Sequence, residues 1–282
     1  SALTVRAPWT MLVKSSPDAK NFMNPLTSLL LTDLYQLTML QGYVEHGMDK
    51  TAVFEFHVRS LPEKRNFLIS SGQEPALDFL ENLHITQEEL FWLSRTGRFS
   101  SDFLDYLEEL RFTGDVHMLP EGTLCFPYEP IFRVSAPLPQ AQLVESRLIN
   151  ILHLHTMLAS KAVRCVLAAP EHLLVDFGLR RAHGAEAGLA AARASYLAGF
   201  AGTATVLAGP LYDIPLYGTM AHSFIEAHDD ELSAFANFAH AQPNNVVLLI
   251  DTYDTERAAE KLRQLAPRLL QENIKIKAVR LD

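Results

Sequence analysis

Apolar residues follow two kinds of spacing in the first half of the chain, and each kind predicts a different element. Intervals of three and four residues predict helices, whereas strict alternation predicts strands. Helical spacing covers residues 29–45, 73–83 and 101–110. Residues 51–58 alternate, and residues 113–136 are β-like and interrupted by prolines, which indicates a barrel- or sandwich-like segment. We therefore predict an N-terminal α+β domain over residues 25–138.

Polar residues mark two of the predicted helix starts. Thr32 and Asp33 are candidate caps for the first helix. Thr86 and Glu89 form a capping-box pattern, which predicts a further helix after Thr86.

The second half of the chain, residues 139–282, has a different rhythm. Residues 141–167 form one long helical stretch that is apolar on most faces, which predicts burial. Short apolar runs then alternate with helices. The predicted strands are 173–177, 214–218, 245–251 and 274–281, and the predicted helices are 185–199, 205–212, 229–241 and 255–271. This alternation predicts parallel βαβ units and an α/β fold class, as a barrel or a doubly wound sheet.

Composition and charge narrow the class of protein. The 282 residues are 48% hydrophobic and carry a net charge of −9, which argues against general nucleic-acid binding. The uninterrupted apolar stretches are too short for a bilayer, so no membrane partner is expected. Two cysteines, Cys125 and Cys165, favour a reducing cytoplasm over a secreted disulfide scaffold. Residues 1–24 lack the apolar core of a secretory signal, and we interpret them as a cloning remnant or a native extension.

Three short segments between residues 175 and 225 contain the densest candidate chemistry. They read Asp-Phe-Gly-Leu-Arg-Arg-Ala-His-Gly (176–184), Gly-Thr-Ala-Thr-Val-Leu-Ala-Gly (202–209) and Gly-Thr-Met-Ala-His-Ser-Phe (218–224). In the first, Phe177 can stack on a planar ring, and Arg180 and Arg181 can bind phosphate or carboxylate ahead of an Ala-rich helix. The alternative is a core phenylalanine with arginines paired to nearby acids. Spacing alone leaves the two interpretations even.

Two more candidate groups follow predicted strands. His222 comes after the strand 214–218, and Asp251 ends the strand 245–251. A carboxylate on one imidazole nitrogen would make the other a better base or nucleophile. Arg280 and Asp282 lie two apart on the last strand, so their side chains share a face and can hold a phosphate and a sugar hydroxyl. A backbone-bonded histidine and a structural ion pair are the alternatives, and spacing does not exclude them.

With these residues in hand, the chain resembles the nicotinate phosphoribosyltransferases, which are type II phosphoribosyltransferases. The matching motifs occur in the family's order from residue 31 to residue 282. Besides the segments above, they are Leu-Thr-Asp-Leu-Tyr-Gln-Leu-Thr-Met (31–39), Arg-Asn-Phe-Leu (65–68), Glu145 with Arg-Leu-Ile-Asn (147–150), Asp-Thr-Tyr-Asp (251–254) and Arg-Leu-Asp (280–282).

The resemblance implies a fold and an activity. The fold would be an N-terminal α+β domain followed by an incomplete irregular TIM-like phosphoribosyltransferase barrel over residues 139–282. The activity would join nicotinate to phosphoribosyl pyrophosphate, giving nicotinate mononucleotide and pyrophosphate in NAD biosynthesis. ATP hydrolysis would be coupled to the step, and Mg²⁺ would accompany ATP.

The resemblance also implies residue roles. Two residues would act in catalysis, with His222 transiently phosphorylated by ATP and Asp251 orienting it. Phe177 would stack on the pyridine ring, and Tyr35 of a second subunit would cover the other face, so the site would need a homodimer. The other implied substrate-binding residues are Asp33, Arg180, Arg181, Thr203, Ala204, Arg280 and Asp282; of these, Arg180 and Arg280 would bind the pyrophosphate region and Asp282 the ribose hydroxyls.

Ala204 separates two neighbouring activities. Nicotinamide-using relatives have an aspartate in this segment, which can accept a hydrogen bond from the amide. A carboxylate there would repel the carboxylate of nicotinate, at a cost of about 1 kcal/mol or more once partly desolvated. Its absence therefore favours nicotinate. A nicotinamide- or quinolinate-using transferase and a non-catalytic nucleotide-binding paralogue remain the alternatives.

One departure from the family pattern concerns the end of the sequence. Family members continue after this strand with Ser-Gly-Asp and later glycine-rich loops that bind the 5′-phosphate. We therefore expect the chain to be part of a longer protein, and the 282 residues alone to be catalytically incompetent.

Overall fold

The structure, a computed structural model, describes residues 27–282 and divides them into two compact units. The first unit ends at Ile214 and the second is Pro215–Asp282. The helices are α1 (Leu34–Glu45), α2 (Gln73–Glu81), α3 (Gln87–Arg95), α4 (Ser101–Glu109), α5 (Leu138–Leu143), α6 (Glu145–Ala168), α7 (Ala185–Leu197), α8 (Ala208–Tyr212), α9 (His222–Glu226), α10 (Glu231–Ala241) and α11 (Thr255–Gln271). The strands are β1 (Thr51–Phe56), β2 (Leu68–Ile69), β3 (Asp115–Met118), β4 (Leu124–Cys125), β5 (Phe132–Pro137), β6 (Val175–Asp176), β7 (Gly202–Thr203), β8 (Val246–Leu249) and β9 (Ile276–Arg280). The interpretation of residues 1–24 lies outside the described residues.

The first unit begins with helices packed on a small antiparallel sheet. The strand order is β1–β5–β3, and β2 pairs separately with β4. The core contains fully buried side chains from both layers, including Leu40, Phe103, Leu107 and Phe132. The capping box before α3 is confirmed, because Thr86 accepts from the Glu89 N–H and the Glu89 carboxylate accepts from the Thr86 N–H. The predicted α+β character of this region is therefore present.

The long helical stretch predicted for residues 141–167 is two helices. Pro139 lies in the first turn of α5, where a proline is tolerated, and α5 ends at Leu143. A separate helix, α6, then begins at Glu145. Within the described residues α6 is the one helix long and apolar enough to cross a membrane, a property that core helices of soluble proteins share. One side of α6 is buried against β2, α2 and α7.

Parallel pairing is confirmed in both units. Strand β6 pairs with β7 across α7, and β8 pairs with β9 across α11. These two sheets have two strands each, and no closed barrel forms within residues 27–282. The predicted α/β class, with an α+β region followed by part of a barrel-like region, agrees with this architecture.

One predicted strand is wrong. Residues 214–218 form no strand, and only Leu216 makes an isolated bridge. Pro215 has no backbone N–H to donate to a ladder, so an apolar run there cannot pair continuously. The following segment, for which the sequence predicted no helix or strand, contains the short helix α9.

The boundary between the two compact units lies later in the chain than the domain boundary predicted from the sequence. Because α6 packs on both α2 and α7, residues up to Ile214 cluster as one unit. The predicted division between residues 25–138 and 139–282 stays a prediction.

Candidate active site

Asp176 joins the first two sequence segments of the candidate site. It ends β6 and is 8% exposed, and its partner in the parallel ladder is the fully buried Thr203. Its Oδ2 accepts a hydrogen bond from Thr203 Oγ1 at 2.8 Å, and its Oδ1 accepts from the Gly178 N–H at 2.9 Å. One buried carboxylate therefore fixes both the loop that follows β6 and the end of β7. Sequence analysis assigned it no role, although an acidic residue ending an apolar strand was a visible signal.

The loop after Asp176 presents its aromatic and cationic groups outward. Phe177 is 46% exposed, which excludes a core position within the first unit. Arg180 and Arg181 lie in a single 3₁₀ turn, Leu179–Arg181, and both are exposed. Neither arginine makes an ion pair with another described residue, so the interpretation that they pair with nearby acids is not what the structure has.

A glycine makes the junction between this loop and α7. Gly184 adopts φ +99°, in a region that side chains disfavour, and it is the residue before the first turn of α7. The loop thus enters the helix with backbone N–H groups of the first turn available to an anion.

A cavity of about 500 Å³ lies beside the same loop, within the first unit. Apolar side chains of α6 and α7 form much of its wall. The polar groups around it include Asp176, Arg181, His183, Lys161 and Cys165. The cationic members outnumber the single carboxylate, which itself accepts two hydrogen bonds, so the cavity favours an anionic group.

Ala204 lies at the carboxyl end of β7. Its N–H donates to the Asp176 carbonyl at 2.8 Å, which extends the ladder by one residue. The side chain is a methyl group on a half-buried position, with no charge of its own.

Asp33 and Tyr35 lie at the start of α1, and the Asp33 side chain does not cap the helix as predicted. Asp33 is the N-cap residue, but its side chain makes no capping bond. Its Oδ2 instead accepts from Ser146 Oγ at 2.9 Å, because the first turn of α6 offers that hydroxyl. The Tyr35 ring is 49% exposed. The helix begins at Leu34, five residues later than the sequence predicted.

The first turn of α6 also contacts α7. Arg147 is 8% exposed, and its Nη2 donates to Glu186 Oε1 at 2.7 Å. Glu186 lies in the first turn of α7, directly after the loop that contains Phe177. The motif at residues 145–150 therefore links α1 and the start of α7 within one unit.

The second unit brings four of the predicted residues together. Arg280 Nη2 donates to Asp282 Oδ2 at 3.0 Å, and the Asp282 N–H donates to Asp251 Oδ2 at 2.7 Å. His222 Nε2 lies 3.7 Å from Asp282 Oδ2. The pairing of β8 with β9 places the strand ends side by side, and α9 begins at His222. Arg280 also donates to Thr219 Oγ1 at 3.0 Å.

The partner of the histidine differs from the expected one. His222 Nδ1 lies 3.1 Å from Thr252 Oγ1, whereas Asp251 accepts the backbone N–H of Asp282. Asp251 Oδ1 is buried and has no hydrogen-bond partner among the described residues. Thr252 was part of the quoted motif 251–254 but had been given no role. A neutral hydroxyl can fix the ring's orientation without adding negative charge beside it.

The arrangement can perform two kinds of chemistry, one in each unit. In the first unit an exposed ring and two guanidiniums can hold a flat anion. In the second, an imidazole 39% exposed lies beside one guanidinium and one carboxylate, where it can accept a phosphoryl group or a proton. The two clusters belong to separate units, at residues 176–204 and 219–282.

Comparison with known proteins identifies the family. A family model described as the nicotinate phosphoribosyltransferase N-terminal domain matches residues 30–153. A second model, the nicotinate phosphoribosyltransferase family, matches residues 172–280.

Named relatives and a solved structure agree. The chain is 48% identical over 253 residues to a nicotinate phosphoribosyltransferase of Mycobacterium tuberculosis, covering 90% of this chain and 54% of the relative. It is 38% identical to the Bacillus subtilis enzyme of the same name, covering 90% and 52%. The crystal structure of human nicotinic acid phosphoribosyltransferase matches with a TM-score of 0.83 at 30% identity, over 89% of this chain and 61% of that one. The chain spans about half the length of the curated relatives it matches, and it belongs to the nicotinate phosphoribosyltransferase family.

Proposed function

We propose that this protein is a nicotinate phosphoribosyltransferase that joins nicotinate to phosphoribosyl pyrophosphate, with coupled ATP hydrolysis, in NAD biosynthesis. The observation that carries the proposal is the loop after β6. Asp176 bonds to Gly178 in this loop and to Thr203 at the end of β7, beside Ala204. The loop presents Phe177 and two arginines, Arg180 and Arg181, which make no ion pair within residues 27–282. This combination suits a planar ring that carries one negative charge.

Phe177 and the adjacent arginines bind and orient the substrates in this proposal. The half-exposed ring stacks on the pyridine face, which leaves the ring nitrogen pointing at the sugar. Arg181 attracts the carboxylate of nicotinate, and Arg180 holds pyrophosphate oxygens by charge-assisted hydrogen bonds. Thr203 acts indirectly through Asp176, since its hydroxyl donates a hydrogen bond to that carboxylate.

The transfer step is a substitution at the anomeric carbon of the ribose. The pyridine nitrogen donates its electron pair to that carbon as the bond to the pyrophosphate oxygen breaks, and pyrophosphate leaves with the electron pair. Arg180 stabilises the negative charge that develops on the leaving group. Arg280, in the second unit, is proposed as a further phosphate-binding residue. Asp282 accepts hydrogen bonds from ribose hydroxyls, because Arg280 occupies one of its oxygens and leaves the other open.

His222 is the proposed acceptor of a phosphoryl group from ATP, with ADP as the leaving group and water as the final acceptor, which gives phosphate. It lies at the first residue of α9 and is partly exposed, so a phosphate can approach its ring. Thr252 keeps the ring's orientation, and Asp251 keeps Asp282 in place through its backbone N–H. Asp251 is thus proposed to act on the histidine through Asp282 rather than by direct contact.

Mg²⁺ fits the residues of the second unit. Residues 27–282 contain no group of three or more histidine, cysteine or acidic side chains that could hold a metal by themselves. Mg²⁺ bound with substrate phosphates needs only one or two carboxylates, however. They would come from Asp251, whose Oδ1 has no hydrogen-bond partner within residues 27–282, and from the partly exposed Asp282. The bound ion would neutralise phosphate charge.

A homodimer and a cytoplasmic location complete the proposal. Tyr35 is exposed at the start of α1, where it can cover the nicotinate bound by the partner subunit.

Both cysteines are free thiols. Burial, with a further contribution from Glu129, raises the pKa of Cys125 to about 11, so this thiol stays protonated at neutral pH.

A direct assay tests the function. The full-length protein is supplied with phosphoribosyl pyrophosphate and equal concentrations of nicotinate, nicotinamide and quinolinate, with and without ATP. We expect nicotinate mononucleotide and pyrophosphate in equal amounts, and a faster reaction with ATP. Preferred use of another pyridine, or nucleotide binding without turnover of any of the three, would contradict the proposal.

A further inference from the structure

Two buried glutamines and a glutamate form a hydrogen-bonded relay where α1, α5 and α6 meet. Gln36 is fully buried and Gln142 is 8% exposed. Gln142 Nε2 donates to Gln36 Oε1 at 2.8 Å and to Glu145 Oε2 at 2.7 Å. Gln36 Nε2 donates to the same Glu145 oxygen at 2.9 Å. One carboxylate oxygen therefore accepts from both amides.

The relay reaches Tyr35, which the proposed function sets over the nicotinate of the partner subunit, and Asp33, which the family resemblance implies as a substrate-binding residue. Gln36 Nε2 also lies 3.2 Å from Tyr35 Oη, which accepts its second N–H. Ser146, adjacent to Glu145, donates to Asp33 Oδ2 at 2.9 Å and lies 3.3 Å from Gln36 Nε2. The exposed Tyr35 and Asp33 are thus tied to buried groups on α5 and α6.

The orientation of each amide in the relay follows from which of its atoms donate and which accept. An ionised carboxylate can only accept, so both amides must turn their nitrogens toward Glu145. The oxygen of Gln36 is then left for Gln142, which fixes the plane of the Gln36 amide and with it the direction of the N–H that meets Tyr35. A buried network in which each member is satisfied has one arrangement, whereas the half-exposed Tyr35 ring on its own could adopt several rotamers.

We propose that Gln36, Gln142 and Glu145 are positioning residues that hold the Tyr35 ring and the Asp33 carboxylate in one orientation, ready for the nicotinate site of the partner subunit. The catalytic consequence rests on the proposed function, but the orientation of Tyr35 does not. Since Tyr35 covers the pyridine ring, losing the relay weakens nicotinate binding more than it slows the transfer step.

A neighbouring glutamine provides a matched control. Gln140 lies on the same short helix as Gln142 and is 9% exposed. Its Oε1 accepts from the Thr113 N–H at 2.9 Å, and its Nε2 donates to Thr113 Oγ1 at 3.1 Å. Gln140→Leu therefore removes a buried amide of the same kind, without touching α1 or the first turn of α6.

The experiment compares Gln142→Leu, Gln140→Leu and the conservative Glu145→Gln in the full-length protein. The first readout is the ¹⁹F resonance of 3-fluorotyrosine placed at position 35, which requires no substrate. The second is steady-state kinetics with nicotinate varied. We expect Gln142→Leu to shift or broaden the resonance and to raise KM for nicotinate about tenfold, with kcat changed less than about threefold. Glu145→Gln keeps an acceptor oxygen, so its effects should be smaller.

The outcomes separate the two proposals. Equal changes in Gln142→Leu and Gln140→Leu, or an unchanged resonance in Gln142→Leu, would overturn the positioning role. If the wild-type protein does not act on nicotinate, the proposed function fails, while the ¹⁹F comparison still decides the orientation of Tyr35. Should Gln142→Leu not fold, Glu145→Gln must still perturb the Tyr35 resonance more than Gln140→Leu does.

Discussion

Single side chains account for the shape of the candidate site. Asp176 holds the loop after β6 to the end of β7, and Thr252 holds the ring of His222. Both are short polar residues: Asp176 ends β6 and bonds to the neighbouring strand, whereas Thr252 follows β8 and bonds to the first residue of α9. Because each of these contacts is local, the effect of substituting a single residue beside it can be predicted.

His222→Ala tests the phosphoryl acceptor. The variant should lose the stimulation by ATP and keep a slow transfer, because the residues proposed to stack on the ring and to bind pyrophosphate remain. The measurement is the initial rate of nicotinate mononucleotide formation with and without ATP. His228→Ala is the control, since the His228 ring contacts the carbonyl oxygen and the ring of the nearby Phe224 and has no assigned role. ATP stimulation that survives in His222→Ala would refute the role given to this histidine.

Ala204→Asp tests the choice of pyridine. A carboxylate at this position would repel the nicotinate carboxylate and accept a hydrogen bond from an amide, so KM for nicotinate should rise by about tenfold or more and that for nicotinamide should fall. Ala204→Asn, of similar size but neutral, is the control and should raise KM for nicotinate less. Equal effects of the two substitutions would show that size, not charge, matters at this position.

At the scale of elements, a buried ion pair ties α7 to the N-terminal part of the first unit. Arg193 of α7 donates through two nitrogens to Glu121, at 2.8 and 2.7 Å, and contacts Glu74 of α2. Glu121 Oε1 also accepts the N–H of Gly72, at 2.7 Å, and of Gln73. Burial alone would raise the pKa of Glu121, but Arg193 and these N–H groups lower it, so the carboxylate is charged.

Arg193→Met should therefore destabilise the protein by about 3 kcal/mol, because it leaves a largely buried carboxylate without its cation. Urea unfolding at neutral pH measures the change. Arg263→Met is the control: Arg263 pairs with Glu260 on the exposed face of α11, so its loss should leave the unfolding free energy nearly unchanged. Similar losses in both variants would contradict the importance given to burial.

A buried histidine in α6 predicts a dependence of stability on pH. Burial lowers the pKa of His155 from 6.5 to about 4, with Arg193 and Arg147 adding to the effect and Glu121 and Glu186 opposing it. The unfolded chain therefore binds this proton more readily. Its contribution to stability is complete above pH 6.5 and is lost as the pH falls toward 4, by about 3 kcal/mol.

His155→Leu should flatten that part of the stability curve, measured by urea unfolding between pH 7 and about pH 4.5. His155 Nδ1 has no hydrogen-bond partner among the described residues, so an apolar replacement leaves little unpaired. The control is His153→Leu, two residues away and exposed, which should keep the wild-type slope. A wild-type slope in His155→Leu would assign the acid sensitivity to other groups.

At the scale of the whole molecule, the proposed shared site predicts complementation between defective subunits. Tyr35→Ala and Phe177→Ala damage opposite halves of the same site, so co-expression should yield mixed dimers with one intact site each. Random association should then restore about a quarter of the wild-type rate. Phe177→Ala combined with Arg180→Ala is the control and should restore nothing, because both lie on one side. No recovery in the first mixture would rule out a site built from two subunits.

The sequence alone determined the larger part of the architecture, because periodicity reports burial directly. It predicted α11 with the bounds observed, Thr255–Gln271, and it identified the capping box at Thr86 from two residues three apart. The same local signals failed where a longer-range effect intervened. The strand 214–218 did not form, because Pro215 has no backbone N–H, which the apolar pattern does not reveal. Residues 141–167 lie in two helices and not in one.

Candidate catalytic and binding residues could likewise be identified from the sequence, because side chains with reactive or charged groups are recognised by residue type. Sequence order placed Phe177, His222 and Arg280 in segments after apolar runs, and the resemblance supplied their roles. Only the tertiary structure decided which groups meet: that Asp176 locks Phe177's loop to Thr203, that Thr252 rather than Asp251 faces His222, and that Asp33 bonds to Ser146 instead of capping its helix. Hydrogen bonds act over about 3 Å between residues far apart in sequence, so their partners depend on packing and not on local pattern.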